Sequence, residues 1–516
     1  MPQSHRQSEE TLYQPASTSS AKHAAISFLL SVTKTRFCPI DTYPEIVAFV
    51  QTAVGKILLL IAFASLLAPL TRMWLPVTVA SGVCAYSGRF RSIATTVGTL
   101  GVLLIYYIYR PNGQLITPYW IDWSTPLEIA VKEGIQPHIA FRLNWIILVC
   151  VFVISSVAIT YLRRFPHYPV CKRPVLTLHG AFVVLLLAGS SGFLRGMQLV
   201  ALWSLIVTVG AYFWFICYAL GDQRLKDGSP AYVQLGLFHP FWGSSSTPIG
   251  KGAAYLRNVE AKSPKNLAVT QLKGLKLLLW VWVLRMLMHA MRRMAHGGLD
   301  VPLLDQALER YAAGNAYPRY VSWLSLLYRF FYGMLYVAFW GDKCVACGRM
   351  AGYRMLRNSC RPLSSTNLAD FWNRYYYYFK ELLVNIFFFP TFFRYFKHNT
   401  RLRICFATFM AAGVGNLIFH FMREIGCVAQ VGLSRAITGF QSYAFYCLLL
   451  SISIGVSQMR RRRKDPEAGW IRVQLLPSLG VVFFYCILEV FNVDTYSLYP
   501  LRDRCGFLFY LFGLGG

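Results

Sequence analysis

Charge is scarce in this chain, and acid is scarcer than base. Of 516 residues only 14% are charged, and 22 Asp+Glu stand against 51 Lys+Arg. Soluble domains carry about 25% charged residues, so this balance excludes a water-exposed surface over most of the length. Patterned cysteine is also lacking. The 13 cysteines are scattered, many of them inside apolar runs (Cys150, Cys217, Cys405, Cys447, Cys486), where a thiol acts as a small hydrophobe. Cys344 and Cys347 form one CxxC with Cys360 nearby. Without a second ligand pair or a βαβ setting it predicts neither a zinc site nor a redox centre. The apolar stretch 24–32 is short and has no small-residue cleavage site, so it reads as an interfacial helix rather than a signal peptide. There is no phosphate-binding glycine loop, no serine elbow and no zinc ligand set. An internal repeat is missing too, which weighs against the transporter folds built from duplicated halves.

What the chain has in plenty is apolar and aromatic surface. It is 55% hydrophobic and 16% aromatic, with a mean hydropathy of +0.43. Runs near the length of about 20 residues that crosses a bilayer recur along it. The clearest are 46–70, 92–109, 143–162, 197–220, 321–340, 402–421, 436–457 and 475–492, with weaker ones at 73–87, 175–194, 275–290 and 376–396. The expected fold is therefore an all-α integral membrane protein, a polytopic bundle of roughly nine to twelve transmembrane helices with re-entrant or interfacial pieces. Residues 1–20 are polar and read as a disordered tail. Residues 21–516 read as a single multi-pass domain, with 221–273 as a cytoplasmic loop, a candidate lid or partner surface.

The net charge of +29 sits mostly in short connections. Arg89 and Arg91 precede one run, Arg163, Arg164, Lys172 and Arg173 separate two others, and Arg460–Arg461–Arg462–Arg463–Lys464 is the densest cluster. All fall on one side if successive runs alternate, as the positive-inside rule requires of the cytoplasmic face. The bases thus predict orientation and contact with membrane lipids, in a plasma (inner) membrane, and not nucleic acid.

Between Trp340 and His420 polar residues crowd a membrane-like stretch, and ionisable groups at that depth are a functional hypothesis by default. In order come Gly341–Asp342, Gly348–Arg349–Met350 with Gly352 and Arg354, Arg357–Asn358, Arg361–Pro362, Ser365, and Asp370–Phe371–Trp372 with Arg374. This series resembles the membrane-bound O-acyltransferase family, and within it the bacterial branch that acetylates alginate-like polysaccharides and D-alanylates teichoic acid. The core of the resemblance lies within about 320–425, and the family's invariant histidine falls on His420. One departure stands out: Tyr375–Tyr376 occupy the place where that branch usually has Trp-His.

The resemblance implies an acyltransferase that moves an acyl group from a thioester to a hydroxyl of a polysaccharide, cell-envelope or other acceptor. His420 would be the general base. Asn373, Asn416 or Tyr376 would position substrate or polarise the carbonyl, Asn373 or Tyr376 supplying the hydrogen bond of the missing second histidine. Arg354, Arg357, Arg361 and Arg374 would hold the scaffold or the donor's anionic part, with Asp370, Trp372 and Tyr375 beside the substrate. No metal and no bound cofactor are implied. The co-substrate would be an acyl-CoA or acyl-carrier-protein thioester, and the carrier protein or an accessory envelope protein would be a partner.

The residues around His420 give a reading of their own. Phe409, Gly413, Asn416 and His420 follow helical spacing on one face, and Asn416 or Glu424 is placed to hold the ring in one tautomer. The plainer alternative is an interfacial histidine paired with Glu424. The phenylalanine-rich 376–396, interrupted by Pro390, reads as a helix dipping through the interface, either lining a reaction chamber or only anchoring. Glu489 and Asp494 near the last run read as a solvated end. A lipid or glycan transporter and a non-catalytic scaffold on the same fold remain the competing classes.

Overall fold

The computed structural model describes residues 37–108, 121–222, 229–459, 469–492 and 499–514. The polar tail, the 24–32 stretch, the Arg460–Lys464 cluster and Asp494 lie outside these. Among the described residues every regular element is a helix, and the one extended contact is an isolated antiparallel bridge between Glu260 and Tyr353.

Eight helical stretches are long and apolar enough to cross a membrane: Ala53–Leu70, Pro137–Arg164, Gly196–Asp222, Pro264–Gly298, Arg319–Met350, Thr400–Arg423, Gln441–Met459 and Ile471–Phe491. They are called α1 to α8 in that order. Trp74–Tyr86 and Pro174–Ser190 are apolar but shorter. The fold is thus an all-α, multi-pass membrane bundle. Its outward faces carry bare aliphatic side chains such as Val97, Ile154, Val157 and Val184, all more than 60% exposed. In water that collar would mark an interface; around a closed set of helices it is the lipid-facing surface.

The sequence explains where several of these helices begin. Ser263 accepts a hydrogen bond from the Asn266 amide with Pro264 in the first turn of α4. Asn399 accepts from the Leu402 amide at the start of α6. Both satisfy N–H groups that a helix leaves open at its N-terminus. α3 is the most enclosed span, with 72% of its apolar window buried. α4 and α5 run antiparallel, since Gln271 bonds the Met350 carbonyl at one end while His296 packs on Tyr328 at the other.

One segment between spans differs from what the sequence suggested. Residues 229–263 do not form an open loop. From Gly236 to Gly250 every residue is buried except Gly243 and Ser245. The surrounding helices satisfy the irregular backbone: Thr99 donates to the Gly236 carbonyl (2.8 Å), Thr96 to Tyr232 (3.1 Å), and Asp222 accepts from the Ser229 amide (3.0 Å). Non-helical chain at membrane depth is tolerated on just those terms. Residues 377–394 form one continuous helix, in which Tyr377–Leu383 runs through a π-turn at Val384–Phe388 into Phe389–Arg394.

Candidate active site

α6 carries its own π-turn, Phe409–Gly415, just before Asn416. A π-turn adds a residue to the helical circuit and rotates whatever follows. The face expected from 3–4 spacing is therefore broken: Asn416, Phe419, His420 and Arg423 point into a cavity of about 210 Å³, and Phe409 is not among its lining residues. Two glycines permit the close packing there. A Cβ on Gly415 would lie 2.6 Å from the Phe387 ring, and one on Gly413 3.1 Å from the Ser451 hydroxyl. The π-turns of α6 and of 384–388 thus press together.

Six parts of the chain build its walls, α5 among them with Phe330, Met334 and Val337. α6 supplies His420 and Asn416. The helix Leu368–Tyr375 and the residues after it supply Trp372, Tyr375, Tyr376 and Phe379. The buried 236–250 segment supplies Ser245, Ser246 and Thr247, and α7 and α8 supply Tyr443, Tyr446, Tyr485 and Glu489. The enclosure lies between two apolar clusters of the fold, one centred on α2 and α3 and one on α5, α7 and α8.

Rings, not hydrogen bonds, hold the His420 imidazole. Tyr443 lies 4.5 Å away centroid to centroid, Phe419 5.3 Å, and Phe379 6.0 Å edge-on at 89°. Its Nδ1 is buried without a hydrogen-bond partner. Neither expected orienting group is engaged with the ring. The Asn416 side-chain oxygen accepts from the Tyr443 hydroxyl at 3.1 Å. Glu424 turns outward to Arg423 at 3.0 Å, both 41% exposed. A buried polar atom without a partner is uncommon and costly.

Tyr376 sits across the cavity with its hydroxyl 3.3 Å from that of Ser245. Burial pushes the Tyr376 phenol above its ordinary range, so it stays a neutral hydroxyl able to donate.

The remaining motif residues build the scaffold beneath this chamber. Asp342, 0% exposed, takes Arg357 at 2.7 Å and the Asn358 amide at 3.2 Å. A Cβ on Gly341 would strike the Asn358 side chain at 2.1 Å, and one on Gly348 the Met355 sulfur at 2.3 Å. Arg349 donates to the Met355 carbonyl (2.9 Å). Arg374 pairs with Asp370 at 2.9 Å and donates to Ser364 at 3.1 Å. Together these clamp 351–374 onto α5. Of the expected substrate-side group, Trp372 and Tyr375 line the cavity; Arg354, Arg357, Arg361, Asp370 and Arg374 are not among its lining residues. Arg354 and Arg361 are exposed. Asn373 is exposed and away from the cavity too, because it lies one residue round the helix from Trp372.

Ser245, Ser246 and Thr247 were not legible as site residues, since their Gly/Ser/Pro setting matches any surface loop. Glu489 was legible only as a carboxylate near a helix end; it lies in the wall of the same cavity as His420. Cys344 and Cys347 are buried free thiols within α5. A scan against protein-family models finds none that matches the chain. A search of curated proteins likewise returns no match.

Proposed function

We propose that the chain is a membrane-bound O-acyltransferase that passes an acyl group from a thioester to an acceptor hydroxyl in the His420 cavity. One observation carries this reading: His420 lies in the wall of a cavity of about 210 Å³ that also gathers Trp372 of the motif and the Tyr375 and Tyr376 that follow it. An alcohol is a poor nucleophile at neutral pH. A base must take its proton as its oxygen attacks the thioester carbonyl, and His420 is the base within reach of this space. The alcohol oxygen bonds to the carbonyl carbon, the carbon–sulfur bond breaks, and the thiol leaves with the proton that His420 relays. The Tyr376 hydroxyl, with Ser245 behind it, supplies a neutral donor for the carbonyl oxygen as charge gathers on it. The aromatic walls keep water out, which strengthens these interactions and limits hydrolysis.

The donor in this reading is an acyl-CoA or an acylated carrier protein. The acceptor is a hydroxyl compound of the cell envelope, a polysaccharide or a smaller molecule. The test is release of free thiol from acetyl-CoA and longer acyl-CoA by the purified chain. His420→Ala is expected to lose turnover by roughly 10²–10⁴-fold, the usual size of a general-base contribution. Wild-type turnover in a folded His420→Ala protein would end the mechanism. The Tyr375–Tyr376 departure favours a second reading, a non-catalytic scaffold on the same fold. It predicts no thiol release from any donor.

A further inference from the structure

A second cavity of about 430 Å³ lies on the other side of α5, at the start of the helix Leu304–Ala312 that follows α4. We infer that this outer cavity is a binding vestibule for a hydroxyl-rich polar ligand, which reaches His420 by exchanging with the Arg329–Glu489 ion pair. It rests on the acyl-transfer reading only in naming that ligand as the acceptor; access itself is measured without turnover.

The two cavities meet at that pair. Arg329 lines the outer cavity and Glu489 the inner one. Arg329 Nε lies 3.6 Å from a Glu489 oxygen, with the side chains 45% and 20% exposed. α5 shows one face to each space: Tyr328, Arg329 and Tyr332 to the outer, Phe330 and Met334 to the inner. A carboxylate and a guanidinium are what an incoming polyol replaces without loss. Its hydroxyls donate to Glu489 and accept from Arg329 in place of the partners' bond to each other. Partly exposed ion pairs contribute little, so opening this one costs little.

The outer lining fixes the ligand class. Arg292 offers donors, Asp305 an acceptor and Gln306 both; His296, whose Nδ1 donates to the Val301 carbonyl at 2.7 Å, leaves its other nitrogen as an acceptor, and Tyr328 and Tyr332 present ring faces with hydroxyl tips. Mixed donors and acceptors with aromatic faces suit a hydrated, many-hydroxyl molecule and repel an acyl chain. The contrast lies next door, where a cavity sharing Arg292 and Tyr332 is walled by Trp282, Met286, Met288 and Phe339.

The experiment is carbethoxylation of His420 by diethyl pyrocarbonate in the full chain in detergent, followed by peptide mass spectrometry. Exposed His398 serves as an internal control. Arg329→Met and Glu489→Gln should each speed modification of His420 several-fold, and Leu303→Trp, which fills the outer cavity, should slow it several-fold. Glucose should protect His420 in the wild-type chain and 1-octanol should not. If His420 in all three variants reacts at the wild-type rate while His398 is unchanged, the vestibule is not the route. If octanol protects as well as glucose, the ligand class is wrong.

Discussion

An imidazole nitrogen buried in a low-dielectric wall with nothing bonded to it is costly unless a ligand or water fills its valence. That is the state of His420 Nδ1, while the same residue lines a cavity whose other side chains can be separated by experiment. Tyr376→Phe removes one hydroxyl and leaves the ring contacts with Phe379 in place. Losing one neutral hydrogen bond in the transition state corresponds to roughly a tenfold drop in kcat, with little change in KM for the donor. Asn373→Ala should leave kcat near wild type, because the side chain is exposed and outside the cavity. Equal losses from both substitutions would mean that the helix Leu368–Tyr375 matters only as a unit. Asp342→Ala is a stability test, not an activity test. It strands the Asn358 amide and unpairs Arg357, at a cost of about 3 kcal/mol, read as a fall in the detergent-solubilised melting temperature. Motif order in the sequence marks these residues as belonging together. It cannot divide them into scaffold and chamber, since that depends on how Gly341 and Gly348 let 351–358 fold back onto α5.

The 229–263 segment shows the same divide at the scale of an element. Its glycines, serines and prolines look like surface punctuation, while Leu237, Phe238, Phe241, Trp242 and Ile249 are buried. What decides the outcome is supplied from elsewhere, by Thr96, Thr99 and Asp222 on the neighbouring helices. No local pattern announces that. The segment's far end is tied by Lys251, whose ammonium reaches Glu381 and whose side chain is 14% exposed. Limited trypsin digestion should therefore spare the bond after Lys251 in the folded protein; rapid cutting there would restore the open-loop reading. The tie is also sensitive to acid. Burial alone would raise the Glu381 pKa, but the bonds and charges of Lys251 and Lys380 outweigh it and hold the carboxyl below its ordinary value. A carboxyl depressed in the folded state stabilises above its unfolded pKa, about 4.3, and the benefit fades as pH falls through the folded value. Glu381→Gln should thus lower the melting temperature at pH 7, with the difference closing below about pH 4. A difference that persists unchanged into acid would show that the pair contributes through packing alone.

Over the whole molecule, long apolar windows made most spans readable, because nothing but a bilayer stabilises so much exposed aliphatic surface. The shorter Trp74–Tyr86 and Pro174–Ser190 were harder, being 13 and 17 residues long. Orientation follows from where the bases meet. Arg91 reaches Glu260 at 2.9 Å, and the Arg354 amide bonds the Val259 carbonyl at 2.7 Å. The connections before the helix Arg91–Ile108, before α4 and after α5 therefore share one end of the bundle. The 163–173 connection falls on the same end if spans alternate, and the positive-inside rule predicts that this end is cytoplasmic. Cys360 lies there, exposed, beside Arg361. Cys150 is exposed as well, but it sits midway along α2 among lipid-facing residues, where a charged reagent does not go. A membrane-impermeant maleimide should accordingly label Cys360 in inside-out vesicles and leave it unlabelled in intact cells. Labelling in intact cells would invert the topology, and would put the acceptor vestibule beside Arg292 on the cytoplasmic side, with the thioester donor then having to reach His420 by that same door.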